Sequence, residues 1–153
     1  MASNYNSLGF NLMTTGENAG TWGDNTNLNL NYLRDMFGYT TVAMTGDQTL
    51  LIPDNTTTAP NGRSFIIELT GSTGAANRTL DIAKQAGSGS SPGGTADIFK
   101  PFLVIDGTTR GAGDSITFKV TGATGILIPK YGSVFCYHDG VDIRTSGMIT
   151  TRS

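Results

Sequence analysis

Alternation is the dominant pattern along this chain. In Ser64-Phe65-Ile66-Ile67-Glu68-Leu69 and in Ser115-Ile116-Thr117-Phe118-Lys119-Val120, apolar residues recur at every second position. That is the period of a strand with one buried face: Ile116, Phe118 and Val120 point one way, Ser115, Thr117 and Lys119 the other. Similar short runs predict strands at 39–44, 49–52, 64–69, 79–83, 102–105, 115–120, 125–128 and 133–137, with a weaker one near Ile149. Turn-forming residues separate them, among them Gly46-Asp47, Pro60-Asn61-Gly62, Asp106-Gly107, Pro129 and Asp139-Gly140. Many short strands punctuated this way predict a mainly β domain, a sandwich or jelly roll, over 39–153.

A different period holds only once. Thr26, Leu30, Leu33 and Phe37 follow i, i+4, i+7 and i+11, one face of a helix, with Tyr32 and Met36 widening its apolar side. Asp24, Asn25 or Thr26 is expected to cap this helix and Gly38 to end it in the left-handed conformation, so it is placed at roughly 25–37 inside a 23–38 unit. Residues 1–22 form an expected extended arm, polar but carrying Tyr5, Leu8, Phe10 and Leu12. Leu8, Phe10 and Leu12 alternate as an edge strand does, which fits pairing with a neighbouring chain. The Gly/Ser-rich stretch 85–96 is expected to be a flexible loop.

Composition narrows the function. Of 153 residues only 14% are charged and the net charge is −2, so no electrostatic footprint for nucleic acid or an anionic membrane is present. No apolar run nears the roughly 20 residues that span a bilayer, and Met1 to Ser7 lacks the pattern of a signal peptide. A soluble protein is therefore expected. The 21 glycines and the scarcity of charge favour strands, turns and a surface covered by copies or neighbours.

Candidate chemistry is sparse. Cys136 is the only cysteine and His138 the only histidine. On a strand they would share a face, but no third group orients them, and a buried structural thiol is the expected role. Glu17, Asp24 and Asp35 offer no argued acid–base pair, and Gly87–Gly94 lacks the Lys-Ser/Thr end of a phosphate loop. Asp139 with Asp142, or Asp106 with Asp114, falls short of a calcium loop. No catalytic residue, metal or cofactor is expected. Aromatic platforms for sugars could come from Trp22, Tyr5, Tyr32, Tyr39, Tyr131 and Tyr137.

The run Thr14-Thr15-Gly16-Glu17-Asn18-Ala19-Gly20-Thr21-Trp22-Gly23-Asp24-Asn25-Thr26-Asn27-Leu28-Asn29 resembles a module of structural proteins of tailed bacteriophages, particularly marine ones. In tail fibres and related virion proteins a similar "TGENxGTWGxxTNxNL" run opens the segment. The resemblance continues through Gly38–Met44, Gly46–Leu50, Ser64–Gly71, Asn77–Leu80, Thr124–Pro129 and Asp139-Gly140, touching most of residues 8–143. It implies a non-enzymatic virion component, made in the host bacterial cytoplasm: a tail fibre or fibre adaptor, or a head decoration protein. By the same analogy the partners are other copies, as a homotrimer, and other virion proteins. Tyr5, Leu8, Phe10, Leu12, Trp22, Leu30, Leu33 and Phe37 are the expected interface. The alternative is a carbohydrate-binding module that contacts glycans of the host surface.

Overall fold

The computed structural model describes residues 4–5, 8–16, 19–52, 62–84 and 99–151. Two short strands, β1 (Asn4–Tyr5) and β2 (Asn11–Leu12), and one helix, α1 (Trp22–Met36), precede a two-layered β domain. Its strands are β3 (Tyr39–Ala43), β4 (Gln48–Ile52), β5 (Ile66–Thr70), β6 (Arg78–Lys84), β7 (Phe99–Asp106), β8 (Ile116–Val120), β9 (Ile126–Leu127), β10 (Gly132–Asp139) and β11 (Ile143–Thr151). They form a five-stranded sheet, β11-β10-β7-β5-β3, and a four-stranded sheet, β4-β6-β8-β9. The mainly β, sandwich-like class expected from the alternation is what the chain adopts. The expected loop at 85–96 lies outside the described residues.

The chain builds the two sheets by winding between them. β3, β5 and β7 run parallel in the larger sheet, and β4, β6 and β8 run parallel in the smaller. Each successive pair (β3 with β4, β5 with β6, β7 with β8) is one turn of a flattened coil, and the turns stack as in a solenoid. Register explains why the stack holds. Val42 lies beside Leu69 and Ile67 beside Val104, while Leu50, Ile82 and Val120 form one inward row and Leu80 with Phe118 another. All of these are buried and belong to one apolar cluster between the sheets. Burying each large aliphatic side chain contributes roughly 1.5–3 kcal/mol. Phe102 and Phe118 meet edge to face across the layers at 5.4 Å.

The last strands close the coil by reversing direction. β9 pairs antiparallel with β8, and β10 pairs antiparallel with both β7 and β11. Gly125 makes the β8–β9 corner possible. Its φ is +70°, and a Cβ there would stand 2.3 Å from the Phe118 carbonyl oxygen, so only glycine fits.

The N-terminal unit differs from the sequence expectation at both ends of its helix. α1 begins at Trp22, so the tryptophan is helical, and Thr21 is the N-cap without a side-chain cap bond. Thr26, one of the expected caps, lies a turn inside and donates its Oγ1 hydroxyl to the Trp22 carbonyl at 2.9 Å. The ladder opens with Asn25 N–H donating to Thr21 O, so Asp24, Asn25 and Thr26 all lie inside the first turns rather than at the cap. At the other end Gly38 does not take the left-handed conformation. Phe37 and Gly38 instead donate to Arg34 O and Asp35 O, tightening the last turn.

The N-terminal segment is extended in β1 and β2, and it lies against its own helix. The Asn29 side-chain amide acts toward Asn11 as a neighbouring strand would, with Oδ1 accepting from Asn11 N–H and Nδ2 donating to Asn11 O, both at 2.9 Å. Arg63 joins this unit to the β domain. It is fully buried, its guanidinium stacks 3.7 Å from the centre of the buried Tyr32 ring, and its Nε donates to Leu8 O at 3.0 Å.

Candidate functional site

The expected interface residues divide into two groups. Leu8 is half-buried against the main core, and Phe10 is half-buried with its ring edge-to-face on Tyr32 at 6.0 Å. Both are used within the protomer. Tyr5 lies in β1, with its side chain outside the described residues, and Leu12 is half exposed. The helix supplies the second group. Its inward stripe is Asn25, Asn29, Tyr32 and Met36, all buried or half-buried. Leu30, Leu33 and Phe37 form a separate stripe turned to solvent, 59%, 46% and 78% exposed, and Trp22 is 62% exposed at the helix start. With Thr26 these positions have 4-3-4 spacing, the spacing of a coiled-coil seam.

The sole thiol and the sole imidazole do share the inner face of β10, but neither is poised for chemistry. Burial pushes the Cys136 thiol up to about 12, so it stays protonated and unreactive. His138 accepts from Gly140 N–H through Nδ1 at 2.9 Å, and burial lowers its pKa, which leaves a neutral ring. Opposite His138 in the ladder is Lys100, a buried cation that sequence reasoning missed. Its Nζ donates to Ser64 O and Pro101 O at 3.2 and 3.3 Å and lies 4.0 Å from the Phe102 ring centre. Burial holds this amine down to about 7. The predicted strand at 102–105 stops short of position 100, whereas the observed strand starts at Phe99 and carries its inward period back to Lys100.

The carboxylates of Asp106, Asp114 and Asp142 are taken up by backbone and side-chain donors of the protein itself. Asp106 Oδ1 accepts from Thr108 N–H and Oγ1, while Oδ2 accepts from Tyr131 N–H and from Arg110, a wholly buried ion pair at 3.0 Å. Asp114 accepts from Gly111 N–H and from Thr73 Oγ1. Asp142 accepts from Gly125 and Ile143 N–H groups. Among the described residues no cluster of three His, Cys, Asp or Glu side chains could hold a metal, and no helix is long and apolar enough to cross a membrane.

Two clefts flank Pro101 on the outer side of the larger sheet. One, of about 300 Å³, is lined by Met36, Phe37, Phe65, Lys100 and Pro101 and is almost wholly apolar. It continues from the foot of the exposed helix stripe. The other, of about 350 Å³, is an open groove between Phe99, Pro101, Tyr137 and Asp139. Of the aromatics considered as sugar platforms, Tyr32 is buried, whereas Trp22, Tyr39, Tyr131 and Tyr137 are exposed. Asp24 and Asp35 lie on the helix, and Asp35 pairs with Arg34 at 2.8 Å. Comparison with family models, with curated proteins and with solved structures finds no match for this chain.

Proposed function

We propose that this protein is a non-enzymatic structural component of a tailed-phage virion that acts by self-association and attachment to other virion proteins. The phage part of this reading rests on the resemblance of Thr14–Asn29 to the opening of virion modules. The mechanism rests on one observation, the solvent-facing stripe of Leu30, Leu33 and Phe37 that the protomer's own core does not use. A helix that already buries one stripe and still presents a second, narrower apolar one is suited to two contacts. The first fixes it to its own domain, and the second packs it against the same stripe of neighbouring copies around a symmetry axis. The apolar cleft at Met36, Phe37 and Phe65 extends that surface onto the β domain.

Sedimentation velocity tests the mechanism. The full chain is expected to run as a trimer, and Leu30→Ser with Phe37→Ser is expected to give a folded monomer. Substitutions at such exposed sites change protomer stability by only about 0.5 kcal/mol. A monomeric parent chain, or a double variant that still assembles, would overturn it. Copy number in purified virions, by mass spectrometry, then assigns the position: hundreds of copies for the head, a dozen or two for the tail.

A further inference from the structure

The outer face of the five-stranded sheet has a built corner where β10 turns into β11. Register lays its residues out as a grid. Pro101 lies opposite Tyr137, which lies opposite Arg144, and in the next row Phe99 lies opposite Asp139. Residues directly paired in a ladder share a face, so all five side chains belong to one surface. A groove of about 350 Å³ is lined by Phe99, Pro101, Tyr137 and Asp139 together with Lys100 and His138, and Arg144 adjoins it through its bond to Asp139.

Phe99, Asp139 and Arg144 are each held in place. The Phe99 ring, 66% exposed, rests with its tip over Gly140. A Cβ at Gly140 would stand 2.8 Å from that ring, and φ there is +93°, so glycine makes room for it. Asp139 Oδ1 accepts from Val141 and Asp142 N–H groups at 2.9 and 2.8 Å. Its Oδ2 accepts from Arg144 Nε at 2.9 Å. These bonds hold the carboxyl well below the usual carboxylate range. Arg144 is half exposed, and among the described residues its Nη groups have no other partner.

The chemistry of the corner selects the occupant. Two aromatic faces and a proline supply flat apolar contact. Beside them stand a fixed acceptor and a fixed fork of donors whose charges cancel. An anion would meet Asp139 and a cation would meet Arg144, so a neutral ligand is favoured. A pyranose has apolar C–H faces and a rim of hydroxyls that both donate and accept. We propose that this corner binds a neutral pyranose of a saccharide, stacked on Tyr137 and Phe99, with its hydroxyls bonded to Asp139 and Arg144. The corner meets the helix-side cleft at Pro101, but Phe99, Tyr137 and Asp139 line only the groove, and their substitution separates this site from the assembly reading.

Saturation-transfer NMR on the full chain tests the site with methyl pyranosides of glucose, galactose, mannose and N-acetylglucosamine. Transfer to at least one is expected, strongest at the ring C–H protons. Phe99→Ala and Tyr137→Ala should each weaken binding about tenfold or more, and Arg144→Gln by a similar factor, about 1.4 kcal/mol. Tyr131→Ala, an exposed aromatic elsewhere, should leave binding unchanged. Leu30→Ser with Phe37→Ser should abolish assembly and keep sugar binding, so the two readings fail separately. Should Tyr137→Ala not fold, the exposed Phe99 carries the test. No transfer to any of the four sugars, or transfer that survives Phe99→Ala, overturns the proposal. So does a Phe99→Ala variant that changes sedimentation while leaving sugar binding intact, since the corner would then be a protein interface.

Discussion

The coiled β domain and the N-terminal unit are held by opposite kinds of contact. In the β domain, stacked rows such as Leu50–Ile82–Val120 bury continuous apolar surface, and the charged groups inside are tied into dense knots. The N-terminal unit depends on a few specific polar contacts, the Asn29 clamp on Asn11 and the Arg63 stack on Tyr32, while much of its apolar surface faces outward. Cooperative stability therefore belongs to the coil. The helix with β1 and β2 is expected to open locally, at a lower free energy than the coil.

Breaking the knot in the β domain should have the largest effect. Asp106→Ala leaves Arg110 charged and buried without its partner and strips acceptors from Thr108 and Tyr131, the latter held at φ +55°. Urea unfolding should show a loss of about 3–5 kcal/mol. A loss under about 1 kcal/mol would place the stability of the coil elsewhere.

Lys100 gives the next largest effect, and its sign follows from linkage. The folded amine loses its proton above about 7, whereas the unfolded one keeps it to 10.5. The unfolded chain thus binds more protons between these values, and stability rises with pH across them. Cys136 acts the other way above 9.0, because its folded thiol stays protonated to about 12. The net expectation is a rise of about 2–3 kcal/mol between pH 7 and 9 and little further gain above it. Lys100→Met should abolish that rise in pH-dependent melts. A rise that persists in the variant would trace to a different group.

The smallest effect tests the independence of the docked unit. Asn29→Ala removes two hydrogen bonds, about 1–2 kcal/mol of local stability. The Asn11 amide should exchange with solvent at least about tenfold faster, while the global melting temperature moves by no more than about one degree. A melting shift approaching that of Asp106→Ala would mean the two regions unfold as one.

The strands were legible because each carries its own period. Ile116–Val120 and Ile66–Thr70 alternate regardless of what they pair with. The winding was not legible, since parallel ladders join turns separated by a dozen or more residues and leave no hairpin signal between partners. Trp22 and Gly23 hid the helix start because neither is a strong helix former. Arg63 and Lys100 were hidden by charge, which ordinarily marks a surface position. For the candidate site, the stripe Leu30/Leu33/Phe37 was visible as a period, but that it faces solvent follows only from Tyr32 and Asn29 taking the inward side. The corner at Phe99, Pro101, Tyr137 and Arg144 required the strand register to bring distant residues together.

The lone thiol at the centre of β10 turns the sheet into its own stopwatch. Cys136 is wholly buried in the core between the sheets and protonated at neutral pH, so an alkylating reagent reaches it only when that core opens. The labelling rate, read by intact mass, thus reports the opening of the β domain without an engineered probe.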